Sequence, residues 1–237
     1  MLCPMMRTLV LIAVLLLPAG GQADRGAGPP ADPVARPATP LASAASPAPW
    51  APPPPDAVHL EALLEKTIFQ VDVIALDLWL GPVSVAEVRR LGAAAEAGVA
   101  SPDSLAAIVA GSRDARARMV LQRDVSLDRF LDGVTADMRR AHRAGLLSAD
   151  GLQHVASGLP IWLGPLRADG LREGDRFHYR IAGDTLRTRV ERRDGAVVID
   201  QTDVGPEHRR ALLGSFVAPE AAFADQLRDR LRGACSS

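Results

Sequence analysis

Apolar positions along this chain change their spacing several times, and each change marks an element. Residues 64–81 read L-E-K-T-I-F-Q-V-D-V-I-A-L-D-L-W-L-G. One alternate set (Phe69, Val71, Val73, Ala75, Trp79) and the other (Ile68, Ile74, Leu76, Leu78, Leu80) are both mostly apolar. That pattern predicts one long central strand buried on both faces. Two carboxylates interrupt it, Asp72 on one face and Asp77 on the other. Residues 58–64 before it read as a short strand or turn. After Gly81-Pro82 the spacing becomes helical, with Ser84 as the cap and Val85, Val88 and Leu91 on one side to about Ala97. Ser101-Pro102-Asp103 opens a second short helix by the same logic.

Residues 113–125 return to alternation. Ala117, Met119, Leu121 and Val125 share one face with Arg123, while Arg116, Arg118, Gln122 and Asp124 share the other with Val120, which suits a strand wet on one side. Ser126 then caps an amphipathic helix with Leu127, Phe130, Leu131, Val134, Met138 and Ala141 at helical spacing and Gly145 as its stop. Ser148 opens another, carrying Leu152, Val155 and Leu159 and ended by Pro160.

A three-stranded meander follows. Phe177, Tyr179 and Ile181 alternate with Arg176, His178 and Arg180, and Gly183-Asp184 is a hairpin turn. Leu186, Thr188 and Val190 alternate with Arg187, Arg189 and Glu191, and Asp194-Gly195 leads into residues 196–199. Pro206 suits the first turn of a helix to Leu213-Gly214, and Pro219-Glu220 starts a last one with Phe223, Leu227 and Leu231 as its buried stripe before Gly233. Strand, helices, strands, helices in that order give an α+β domain with helices packed on an antiparallel sheet.

Composition divides the chain into three parts. In residues 1–23 a single Arg7 precedes an apolar run, followed by Pro18-Ala19-Gly20-Gly21 and a small-residue end at Ala23. These features read as a secretory signal peptide cleaved before Asp24, which implies a periplasmic or secreted protein. The run is too short to span a bilayer, and no later segment reaches the roughly 20 apolar residues that a transmembrane helix needs. Residues 24–55 hold 11 of the 19 prolines with few large apolar side chains, so they form a disordered spacer. At about 3.1 Å per residue its reach is on the order of 100 Å. Residues 56–235 are long enough for one domain with one core.

Charge and cysteine content narrow the function classes. Without Arg7 the net charge is −2, which supplies no general field for nucleic acid or an anionic membrane. Cys235 is the one thiol left, so there is no internal disulfide and stability must come from the core. Lys66 is the single lysine, and the excess of arginine reads as a base-composition effect of the coding sequence. His59, His142, His154, His178 and His208 show no paired ligand spacing, so no metal is expected. No nucleophile elbow and no glycine-rich phosphate loop occurs, and no cofactor is called for.

Four stretches in order, L-E-K-T-I-F-Q-V-D-V-I-A-L-D-L, Q-R-D-V-S followed by a helix, L-R-E-G-D-R-F-H-Y, and A-L-L-G-S-F-V-A-P-E with the later L-R-D-R-L-R-G, resemble the exported bacterial branch of the chalcone isomerase-like family. The resemblance spans residues 64–233. It implies an open-faced sandwich, an antiparallel sheet covered on one side by helices, with a cleft between them. Plant members close a flavanone ring there and other members hold fatty acids.

The cyclisation chemistry that the resemblance implies needs a cation before the central strand and hydroxyl donors near the developing enolate. No arginine occurs between Arg36 and Arg89. The family's threonine position falls on Asp72, its helix tyrosine near Phe130, an asparagine near Asp137 and a late hydroxyl near Ala211. No catalytic residue is therefore assigned. Asp72, Phe130, Asp137 and Ala211 are the ligand-contacting positions that the resemblance implies, in a non-catalytic cleft for a small apolar, lipid-like ligand.

Other readings stay open. An isomerase or lyase would use Asp72 as general base, and a protein-interaction module would be tethered by the proline-rich spacer. A buried carboxylate must be paired or neutralised, so Asp72 is expected either to pair with a strand arginine such as Arg118 or Arg123 or to touch a ligand. Asp77 reads as solvated or capping. Arg176, Arg180, Arg187 and Arg189 share one face of the meander, either as its wet face or as a seat for an anionic partner. Trp79 and Trp162 read as core residues.

Overall fold

The computed structural model of the protein describes residues 53, 55–66, 71–96 and 102–235. The readings of residues 1–23 and, apart from Pro53 and Pro55, of 24–55 lie outside them. Six strands, β1 (Val58–Lys66), β2 (Val71–Leu80), β3 (Asp114–Leu121), β4 (Arg176–Ala182), β5 (Thr185–Glu191) and β6 (Val197–Val204), form one antiparallel sheet in chain order. Helices α1 (Pro82–Glu96) and α2 (Pro102–Gly111) connect β2 to β3. Helices α3 (Leu127–Arg143) and α4 (Ala149–Trp162) lie between β3 and β4, and α5 (Pro206–Val217) and α6 (Ala224–Cys235) follow β6. The fold is α+β: an open antiparallel sheet packed against helices. No helix among the described residues is long and apolar enough to cross a membrane.

The long strand expected over residues 64–81 is instead two strands. β1 and β2 pair antiparallel, with Leu60 opposite Leu78 and Ala62 opposite Leu76, and residues 67–70 between them lie outside the described ones. Both alternate sets of β2 are apolar, yet only one is covered. Ile74, Leu76, Leu78 and Leu80 are buried, whereas Val73, Ala75, Asp77 and Trp79 are half-buried on the open face. Apolar content on both faces thus does not require layers on both, because a sheet beside solvent still carries apolar atoms.

Several helix ends also differ from expectation. α1 begins at Pro82, and Ser84 lies inside its first turn with Oγ donating to Ser112 Oγ at 2.7 Å. Proline at the first helical position needs no hydrogen-bond partner for a missing N–H, so it starts the helix more directly than the serine does. α4 runs through Pro160 to Trp162, losing the one hydrogen bond that the proline cannot donate to the preceding turn. α6 starts at Ala224 rather than at Pro219-Glu220, because Glu220 takes φ 64°, a left-handed conformation that no helix accepts. The serine caps of α3 and α4 are as expected, with Ser126 accepting from Arg129 N at 3.4 Å and Ser148 from Gly151 N at 2.9 Å.

Pairing register sorts the inner face into rows. Leu76, Met119, Phe177, Val190 and Ile199 form one continuous buried row from β2 to β6. The neighbouring row runs Leu60, Leu78, Ala117, Tyr179, Thr188, Gln201. It is apolar over β1–β3 and polar over β4–β6. The β4–β5 turn is the two-residue loop Gly183-Asp184, with Gly183 at φ 64° in the first central position that favours glycine. At the opposite edge, Gln226 of α6 spans the Leu63 peptide, accepting from its N–H at 2.8 Å and donating to its C=O at 2.7 Å. Its side-chain amide stands in for a neighbouring strand on β1.

Candidate functional site

Three helices each present one stripe to the inner face of the sheet. On α3 it is Phe130, Val134 and Met138, on α4 Val155, Leu159 and Trp162, and on α5 His208, Ala211, Leu212 and Ser215, all at three- or four-residue spacing. They do not close onto the sheet over β3–β6. A cavity of about 940 Å³ lies between, lined mostly by apolar side chains. That is the upper part of the range of roughly 300–1,000 Å³ usual for small-molecule sites.

Of the four positions implied by resemblance, three line this cavity. Phe130 is buried and stacks on Phe177 of the floor, ring centroids 5.1 Å apart. Asp137 is half-buried and accepts from Arg140 Nη1 at 2.6 Å. Ala211 is buried on α5. Asp72 stands opposite Glu65 in the β1–β2 register, and its side chain lies outside the described ones, so neither an ion pair nor a ligand contact is assigned to it.

Arg118, one of its expected partners, is committed elsewhere. Its Nε and Nη2 donate to Asp77 Oδ2 at 2.9 and 2.7 Å. Asp77 is therefore an ion-paired residue of the open face and not a solvated cap. Arg123, the other candidate, lines the cavity together with Asp124 and Arg129.

Sequence reasoning missed the polar end of the cavity. Tyr179 and Thr188, opposite one another on β4 and β5, have no side-chain hydrogen bond among the described residues, and both line the space. Beside them on β6, Gln201 Nε2 donates to Asp203 Oδ2 at 3.2 Å. Burial pushes the Tyr179 phenol well above its ordinary pKa of 10, so it stays a protonated donor. His208, in the first turn of α5, is 9% exposed, and neither of its ring nitrogens has a hydrogen-bond partner. Burial lowers its pKa, an effect reinforced by His154 and opposed by Asp203 and Glu207. Near neutral pH it is an imidazole with one donor and one acceptor. Trp162, expected in the core, is instead cavity wall, 5.6 Å from His208 between ring centroids. A usable signal existed for two of these residues: Tyr179 and Thr188 are the polar steps in otherwise apolar alternations. Nothing in the local sequence marks His208.

The open face carries the expected arginines in register. Arg116, Arg180 and Arg187 lie directly opposite one another across β3–β5, and His178 and Arg189 occupy the next row. Arg187 is held bidentate by Asp200 at 2.9 Å for both bonds. Trp79, also expected in the core, stacks on His59 here, with centroids 4.7 Å apart. Among the described residues one trio, His59, Glu61 and Asp77, brings a potential metal-ligand atom from each within 4.8 Å. Arg118 already neutralises Asp77, which disfavours a cation there. A scan against protein-family models found no match for this chain, and a search of curated proteins found none either.

Proposed function

We propose that this domain binds a small, mainly apolar molecule in the cavity between the sheet and α3–α5 and holds it without transforming it. The observation that carries the reading is the cavity itself: about 940 Å³ of mainly apolar lining in a domain whose remaining inner rows are filled. Interiors normally pack to crystal-like density, so an apolar space this large is costly unless it is occupied in use. The resemblance to the chalcone isomerase-like family, which implies a cleft between sheet and helices, supports the same reading, and Phe130, Asp137 and Ala211, three of the positions it implies, line the cavity. The signal-like leader and proline-rich spacer support a carrier exported from the cytoplasm.

The test is native mass spectrometry of the full chain purified without detergent, with extraction of whatever is bound, beside binding of the neutral dye N-phenyl-1-naphthylamine. Wild type is expected to carry a stoichiometric small molecule or to take up the dye. Ala211→Trp, which takes up part of the cavity from α5, is expected to weaken both while circular dichroism still reports a folded domain. A clean apo mass together with no dye binding would reject the proposal.

A further inference from the structure

The sheet face turned away from the cavity carries charge that its own strands do not balance. Over β2–β6, three of its arginines have a carboxylate each: Arg118 holds Asp77 at 2.7 Å, Arg187 holds Asp200 at 2.9 Å and Arg189 holds Glu191 at 2.7 Å. Arg116, Arg176 and Arg180 remain on the same face, against Asp114 at the start of β3. With His178 kept neutral by burial, three cations against one carboxylate leave +2 there, in a chain whose net charge is −1. Among the described residues neither the Arg176 nor the Arg180 side chain has an ion-pair or hydrogen-bond partner.

Arg180 is the centre of this imbalance. Register places Arg116 of β3 directly opposite it on one side and Arg187 of β5 on the other. Opposite residues on neighbouring strands lie about 5 Å apart, and like charges so placed destabilise the pair. Burial lowers the pKa of Arg116, Arg180 lowers it further, and Asp114 opposes both. Arg116 and Arg180 are half-buried, so water screens their repulsion only in part. Solvation alone gives no reason to set three guanidinium groups in one row, whereas a bound anion does.

Extent and charge decide the kind of anion. The row spans β3 to β5, about 10 Å at two strand spacings. Acids end the positive field on both sides, Asp77 on β2 and Asp200 on β6. An extended polyanion would run onto these carboxylates, and one compact group would not. Guanidinium forks match pairs of oxygens on a single oxyanion, and an excess of +2 is offset by a phosphomonoester, which carries about −1.5 to −2 at pH 7.

We infer that Arg180, with Arg116 beside it, seats one phosphate-type dianion on the open face of the sheet. The site is separate from the cavity and does not rest on the cavity's being occupied. Arg176, about 13 Å away along β4, adds field and not contact.

The test is thermal unfolding of the full chain at pH 7.5 and low ionic strength, with inorganic phosphate at about 10 mM against sodium chloride of equal ionic strength. Wild type is expected to gain about 3 °C in Tm from phosphate, the linkage effect of an anion at roughly ten times its Kd. Arg180→Gln is expected to gain under about 1 °C and, without phosphate, to melt at or slightly above wild type, because a like charge has been removed. Arg116→Gln is expected to act in the same direction, which keeps the test decisive if Arg180→Gln does not fold. Flotation with vesicles containing phosphatidic acid separates the two sources of such a group. Binding that depends on Arg180 assigns the phosphate to a lipid headgroup, and a phosphate shift without vesicle binding assigns it to a free phosphate compound. Neither a phosphate shift nor vesicle binding in wild type would overturn the inference. So would an equal shift in wild type and both variants, which is the general stabilising effect of the salt. Melting of Arg180→Gln several degrees below wild type without phosphate would overturn it as well, since Arg180 would then be balanced within the fold.

Discussion

Asp175 is the most heavily buried carboxylate among the described residues, 1% exposed at its side chain, and the sequence pattern does not single it out. It lies just before β4 and holds the loop that returns from α4 to the sheet. Arg192 Nη1 donates to its Oδ2 at 2.7 Å, and the Arg172 N–H donates to the same oxygen at 3.0 Å. Asp175→Ala removes the acceptor for both and leaves the guanidinium of Arg192, 15% exposed, with the Gly170 carbonyl at 2.9 Å and the more distant, exposed Asp169. Breaking a buried ion pair from one side costs about 3–5 kcal/mol. The surviving carbonyl contact and partial exposure of Arg192 place this case near the lower end, about 3 kcal/mol. With a urea m-value of roughly 2 kcal/mol/M, the unfolding midpoint should fall by about 1.5 M at unchanged m. The double variant Asp175→Ala/Arg192→Met removes both charges and should recover about 2 kcal/mol of that loss, a coupling that a purely local loop effect would not give. A midpoint shift under about 0.3 M, or strict additivity of the two substitutions, would refute the assignment of Asp175 as the anchor of this loop.

Two further outcomes can be checked with the same material. Burial lowers the pKa of both His178 and His208. The unfolded chain therefore binds protons that the folded one refuses as pH falls below about 6.5, and stability should decline through that window toward the lowered values. In His208→Phe the difference in urea midpoint between pH 7.5 and pH 5.5 should be smaller than in wild type, and an unchanged difference would show that this imidazole does not contribute. Gln226→Ala strips the side-chain amide from the Leu63 peptide on edge strand β1. The two exposed hydrogen bonds are worth about 1 kcal/mol together, and sedimentation velocity should show self-association through the uncovered edge.

The strands and helix stripes were legible because burial there is set by local period. β3 and β5 bury the alternate residues that their patterns pick out, β4 does so at Phe177 and Ile181, and Ser126 and Ser148 cap the helices they precede. The break between β1 and β2 was passed over because no glycine or proline lies there, although Glu65-Lys66-Thr67 and Gln70 interrupt the apolar pattern beside it. Pro160 misled because the helix absorbs the one bond lost to the carbonyl four residues earlier and ends two residues beyond the proline. The wall positions Phe130, Asp137 and Ala211 were reachable through resemblance. His208 was not, since its surroundings include Asp203 of β6 and His154 of α4, residues remote from each other in sequence.

The row that crosses the inner face explains why the site lies where it does. Leu60, Leu78 and Ala117 are buried on β1–β3, where α6 packs on β1 and α2 on α5. Tyr179, Thr188 and Gln201 continue the same row under the cavity. Apolar side chains at these three places would let α3–α5 settle onto the sheet and gain the burial now forgone, about 25 cal/mol per Å² of apolar surface. The polar half of the row prevents that collapse, because sealing its hydroxyls and amide under apolar helices would leave them without partners. The polar half of this row therefore keeps the space between the sheet and α3–α5 from closing.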